Sequence, residues 1–334
     1  MIPRSGTGRV IASLLVLLLA AGACQPAASP APTSIPAPPS TPGTSNPVAT
    51  TPAATTAAAS AVPIGQLQFQ TKTYPVPAGA HPHDVAPAAD GVVWYTGQQN
   101  GTLGWLDPVT GTVREVDLGP GSAPHGVISG PDGAAWVTDQ GLDAIVRVTP
   151  GTFEIETFRM PQGAQGEAVH TGVFDHDGVL WFTGQGGIVC RLDPATGIIE
   201  AFAAPRGAGP YGITVTPSND IYVASLAGSY LGAVDRAAFE MRVLEPPTAG
   251  AGVRRAWSDS TGRVWISEWN AGKLGRYDPA DGSWREWPLP GEAPMAYAIY
   301  VDDRDLVWVS DFGANALLMF DPATETFTPF PAES

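Results

Sequence analysis

Cysteine is nearly absent from this 334-residue chain, which has only Cys24 and Cys190. Two thiols cannot make a disulfide framework or a Cys-based metal site. Cys190 lies in the alternating run Ile188-Val189-Cys190-Arg191-Leu192 and is expected to be a small buried hydrophobe in a strand. Charge is missing from residues 1–63 apart from Arg4 and Arg9. Positive charge is scarce everywhere: 17 Lys+Arg stand against 32 Asp+Glu, a net −15, which leaves −17 on residues 64–334. That balance repels phosphate and anionic headgroups, so nucleic acid and adhesion to acidic lipid are excluded as partners. A helical hydrophobic period is also missing, which points to an all-β chain.

The one long apolar run, 10–20, follows Arg4 and Arg9 and is short for a membrane span. It has the proportions of a signal peptide and ends in Ala21-Gly22-Ala23-Cys24, similar to a lipobox. The expectation is cleavage before Cys24, lipidation of that residue, and export to a periplasmic or cell-surface location. Residues 25–63 are almost all Pro, Ala, Ser and Thr, which cannot bury a core. They are expected to form a disordered tether, and the folded domain is placed at 64–334.

What is present is a repeat. Trp94, Trp136, Trp181, Tyr222, Trp265 and Trp308 lead six similar segments at intervals of 42, 45, 41, 43 and 43 residues. Eleven residues before each aromatic stand His83, His125, His170, Tyr211, Arg254 and Tyr297. Asp107, Thr149, Asp193, Asp235, Asp278 and Asp321 follow at 13 residues, or 12 in the third copy. Each unit reads as four strands, a to d; in the first copy these are 83–87, 92–96, 103–106 and 112–118. Asp90-Gly91, Asp132-Gly133 and Asp177-Gly178 mark the a–b hairpins. Four antiparallel strands every 43 residues or so make a β-propeller blade, with the b-strand aromatic packed between blades. Six blades are counted. Residues 67–76 and 326–330 both resemble a strand d, so a seven-bladed ancestor with an incomplete last blade is the alternative. The domain is expected to be a monomer.

Strand a is the innermost of a blade, so its first residues ring one mouth of the channel. If Asp-Gly centres the hairpin, His83 faces Gln98, His125 faces Gln140, and His170 faces Gln185. Arg254 then faces Trp269, and Tyr297 faces Phe312. His125 and His170 are candidate general bases, and Arg254 is a candidate electrophilic or carboxylate-binding group. His83, Tyr211, Tyr297, Arg255, Gln98, Gln140, Gln185 and Trp269 are candidate ligand contacts. Asp139, Glu268 and Asp311, at the ends of strand b, are candidates to orient a His or hold a hard cation. A three-His zinc site is disfavoured, because ring positions in adjacent blades tend to lie too far apart for one ion.

Pro124-His125-Gly126-Val127, Pro210-Tyr211-Gly212-Ile213, the Trp-Phe-Thr-like b strands and 270–276 (Asn-Ala-Gly-Lys-Leu-Gly-Arg) resemble the streptogramin (virginiamycin B) lyase family. The resemblance covers essentially all of 64–334. It implies a propeller that opens a cyclic ester by elimination, a small-molecule or cyclic peptide-like ligand, and Mg²⁺ at the mouth. The family's Glu-x-His would fall at the last inner strand, but Tyr297 holds the His position, and Asp311 or Phe312 stands where a further Glu is expected. Arg254 matches a His in the preceding blade. Glu167 and His170 come nearest to the pair, at a spacing of three. Two rivals to a lyase remain: a non-catalytic surface module that binds a ligand, and a gluconolactonase-like metal-dependent lactonase, for which Glu268, Asn270 and Asn315 are the available residues.

Overall fold

The computed structural model describes residues 72–332. The expected signal segment with Cys24, and the tether, lie outside the described residues. Among the described residues the 24 regular elements are all strands, in six four-stranded antiparallel sheets of a β-propeller. In the first blade strand a is Pro82–Pro87, b Val93–Gly97, c Thr102–Leu106 and d Val113–Asp117, each within one residue of expectation. The other blades span 124–159, 169–203, 210–244, 253–288 and 296–331. Every sheet keeps the order a-b-c-d and borrows no strand from another blade. The strand Thr326–Pro331 is therefore the d strand of the sixth blade. The other d-like segment is not a strand from Lys72 onward. It is held instead by Lys72 Nζ and Tyr74 Oη, which donate to the Pro108 carbonyl at 3.0 and 2.6 Å.

The a–b hairpins explain the blade spacing but correct the expected register. The Ala88 N–H donates to the Val92 carbonyl and the Gly91 N–H to the Ala88 carbonyl. The loop is thus three residues long, with Gly91 in the left-handed region at φ 85°. That shifts the pairing by one. A β-bulge at the start of strand a shifts it again, and all six blades have this bulge. So Gln140 pairs with Ala123, Gln185 with Ala168, and Trp269 with Gly252. Each partner lies two residues before the ring residue that sequence reasoning had placed opposite.

Five apolar cores hold the blades, each joining one blade to the next. Trp94, Trp136, Trp181 and Trp265 are the large buried side chains of four of them, as expected. Each ring removes roughly 200 Å² from water, about 5 kcal/mol as an upper bound. Aspartates of the a–b turn take the indole N–H: Asp132 from Trp136 at 3.0 Å, Asp175 from Trp181 at 2.9 Å, and Asp259 from Trp265 at 3.0 Å. Ala88 stands six residues before Trp94, where Asp175 and Asp259 precede theirs, and Trp94 Nε1 has no partner. Cys190 is a fully buried free thiol in the core between blades two and three.

A second contact repeats at four of the six bulges. The hydroxyl two residues after the b-strand aromatic accepts an N–H in its own blade and donates to a carbonyl in the next. Thr138 Oγ1 accepts from Gly126 N–H at 3.0 Å and donates to the His170 carbonyl at 2.5 Å. Thr96 does the same between Asp84 and His125, Thr183 between Thr171 and Tyr211, and Ser267 between Arg255 and Tyr297. Ala224 interrupts the series in the fourth blade. Thr138→Val keeps the shape but strands two buried backbone groups. It is expected to cost about 1–2 kcal/mol in a urea unfolding titration.

Candidate functional site

The bulge turns the second residue of each strand a toward the channel, and the bridging hydroxyl, where present, draws neighbouring blades together there. The ring side chains therefore pack against one another, with the His–His and His–Tyr planes tilted by 44–51°. Ring centroids of His83 and His125 are 4.1 Å apart, of His125 and His170 4.0 Å, and of His170 and Tyr211 3.8 Å. The Arg254 guanidinium continues the series, 4.4 Å from the Tyr211 ring centre and 3.5 Å from that of Tyr297. Tyr297 stacks on Phe312 at 4.1 Å with planes 5° apart, and Trp269 meets both edge-on. The six predicted ring positions are thus brought together, closer than the sequence reading allowed. The three imidazoles pack in series with tilted planes, and no group of three His, Cys, Asp or Glu side chains suited to a metal occurs among the described residues.

Stacking buries most of the ring. His125 and Arg254 are each 7% exposed and His170 is 0% exposed, whereas His83 is exposed. Burial, followed by the charges of His83 and Arg255, pushes His125 down to about 3. Burial and then His125 and Arg255 press His170 below the ordinary imidazole range. Both rings are neutral at physiological pH. Arg254 Nη2 donates to Tyr211 Oη. Arg255 reaches two blades back, where Nη1 donates to Thr171 Oγ1 at 2.6 Å; the same hydroxyl lies 2.7 Å from His170 Nδ1. His125 Nδ1, His170 Nε2 and the Nε atoms of Arg254 and Arg255 have no hydrogen-bond partner.

The candidate metal ligands have other roles. Asp139 accepts the N–H groups of Ala123 and Leu142 and the Ser122 hydroxyl, clamping two loops. Asp311 accepts the N–H groups of Met295 and Gly313 in the same way. Glu268 is fully buried, and desolvation and then negative Glu286 push it up to about 8, so it carries a proton at neutral pH. The resemblance implied Mg²⁺ at the mouth, but these three carboxylates do not fit a shared ion. The lactonase set does not converge either: Asn270 donates to the Gly250 carbonyl at 3.2 Å, and Asn315 sits in a left-handed turn at φ 46°.

Gln98, Gln140, Gln185 and Trp269 are half-buried just past the ends of strand b, and of these Trp269 meets the ring, edge-on to Tyr297. Sequence reasoning left Phe312 and Met295 out of the site. They are 58% and 37% exposed beside Tyr297, and the bulge-shifted register, which pairs Phe312 with Met295, brings both there. Large exposed apolar groups at a polar mouth are the kind of surface that meets a ligand.

The buried imidazoles give stability a definite pH dependence. In the unfolded chain they take up protons near pH 6.5; in the folded protein His125 does so only near 3. Their stabilising contribution is therefore complete above pH 6.5 and is lost progressively as pH falls toward 3. The melting temperature is expected to drop from pH 7 toward about pH 4, and to drop less in His125→Phe and His170→Phe.

Comparison with known proteins agrees with this architecture. Virginiamycin B lyase from Staphylococcus aureus superposes with a TM-score of 0.71 at 19% identity, over 77% of this chain and 86% of that one. A catalytically inactive variant of the same enzyme with quinupristin gives 0.72 at 19% identity, over 78% and 87%. A gluconolactonase from Xanthomonas campestris gives 0.53 at 17% identity, over 69% and 82%. No curated protein matches by sequence. At these identities the structures share the fold. The family profile itself matches residues 52–310, most of the chain, and on that ground the protein belongs to the virginiamycin B lyase family.

Proposed function

We propose that the channel mouth is a ligand-recognition site that binds without turnover, on a chain exported and held at the membrane by lipidated Cys24. One observation carries the reading. An exposed aromatic shelf, Phe312 on Tyr297 with Trp269 at its edge, sits directly over the buried Arg254 guanidinium. A flat apolar group stacks on the shelf, and carbonyl or carboxylate oxygens beside it are drawn to Arg254 and Arg255. That suits a cyclic peptide-like small molecule rich in acceptors.

The candidate bases support binding over catalysis. Elimination needs a group that takes a carbon-bound proton, and an imidazole pushed down to about 3 has little driving force for that at neutral pH. Among the described residues no carboxylate is hydrogen-bonded to either buried imidazole to orient it or raise its basicity. Tyr297 stands where the family's His is expected.

The test uses a streptogramin B antibiotic, with and without Mg²⁺. Binding is expected to quench tryptophan fluorescence, and Phe312→Ala is expected to weaken it about 10-fold. The ligand should be recovered intact by chromatography and mass. A mass-neutral ring-opened product would establish a lyase instead, and a product with one added water a lactonase. For the anchor, Cys24→Ser is expected to move the chain from the membrane to the soluble fraction of the producing cell.

A further inference from the structure

Two cations at the mouth stand without a carboxylate. Arg254 is buried and Arg255 half-buried. Among the described residues neither lies within ion-pair distance of an Asp or Glu. A charge taken out of water ordinarily meets a partner that offsets its lost hydration. The Tyr211 and Tyr297 rings offset part of that loss for Arg254 by cation–π contact. Asp84 stands directly after the ring residue of the first blade, as Arg255 does in the fifth. Its carboxylate is turned instead to the Val85 and Val127 N–H groups, at 3.1 and 3.4 Å.

The unanswered donors gather around one ring. From the Tyr211 ring centre the Arg254 guanidinium carbon is 4.4 Å away, that of Arg255 5.3 Å, and the His170 ring centre 3.8 Å. Each of the three has a buried nitrogen with no hydrogen-bond partner: Nε in both arginines and Nε2 in His170. An arginine Nε is always an N–H donor. For His170 the tautomer follows from Thr171. Arg255 Nη1 donates to the Thr171 hydroxyl at 2.6 Å, and His170 Nδ1 lies 2.7 Å from the same oxygen. The hydroxyl proton has no other acceptor among the described residues, so it goes to Nδ1. His170 therefore carries its own proton on Nε2, as a third buried donor.

We propose that the channel beneath the aromatic shelf holds one small anion, bordered by Arg254, Arg255 and His170 around the Tyr211 ring. Three donors and two guanidiniums call for a partner that only accepts hydrogen bonds and carries negative charge. A water molecule answers the N–H groups but leaves both cations uncompensated. Two sources supply this chemistry: a free halide, or the carboxylate end of the molecule bound on the shelf. The second source rests on the reading of the mouth as a binding site, and the first does not.

The experiment follows the chlorine NMR line width of sodium chloride with the full chain, carrying Cys24→Ser to keep it soluble. Exchange with a protein site broadens the line, and excess bromide is expected to remove the broadening. Arg254→Met and Arg255→Met are each expected to reduce it about 10-fold. Thr171→Val keeps the side-chain shape and frees the His170 tautomer, and is expected to reduce it about 3-fold; it guards against an arginine variant that fails to fold. Arg114→Met, exposed on strand d of the first blade, is expected to leave it unchanged. Sodium acetate separates the sources. Chloride that acetate displaces marks a site open to both, and chloride that acetate does not displace marks a free halide. Acetate binding without chloride binding, lost in the arginine variants, assigns the site to a carboxylate. Broadening retained in the arginine variants overturns the proposal. So does binding of neither anion, which leaves water as the partner of these donors. No organic ligand enters the measurement, so its failure is distinct from failure of the streptogramin B test.

Discussion

A hydroxyl two residues beyond the strand-b aromatic, bridging to the next blade in four of the six, fixes the geometry on which the mouth depends. It accepts the N–H freed by the bulge in its own blade and donates to the ring carbonyl of the next. The bulge is thereby satisfied and neighbouring inner strands are stitched together at the channel. A buried N–H and carbonyl left unpaired at that point would cost more than the bond itself yields. The ring residues stand at this stitch, so their side chains meet at stacking distance rather than across an open channel. Burial of His125 and His170, and the depressed proton affinity of both, follow from that placement.

The fold was legible because the propeller repeats its backbone constraints in the sequence. An aromatic for the blade interface and, in most copies, a Gly for the left-handed turn position recur at fixed spacing, and the first-blade strands were placed to within one residue. The register was not legible to the same degree. Asp-Gly is compatible with a two- or a three-residue loop, and nothing in composition announces the bulge, although Gly126 and Gly212 directly after their ring residues are consistent with it. The six ring residues come together, but their contacts come from different blades, and a single sequence does not encode those distances. The candidate metal carboxylates had a readable alternative: Asp139-Gln-Gly and Asp311-Phe-Gly are also turn signatures, and loop clamps are what they became.

Charge in the domain is arranged by burial as much as by pairing. The folded part is strongly acidic, yet the mouth gathers two guanidiniums and three imidazoles. Glu268, one of the few carboxylates sealed inside, avoids repulsion from Glu286 by keeping its proton, while Glu286 pairs with Lys273 at 2.8 Å. Positive charge is thereby gathered inward, at the mouth, within an acidic shell.

Each sheet is built from one uninterrupted stretch of chain, with its strands hydrogen-bonded in the order they are synthesised. Gaining or losing a whole repeat would therefore rewire no surviving sheet; it would change only which two faces become neighbours. Blade number in such a protein is a quantity that a single in-frame duplication or deletion of about 43 codons can alter, with the hydrogen-bond ladders of the remaining blades carried over intact.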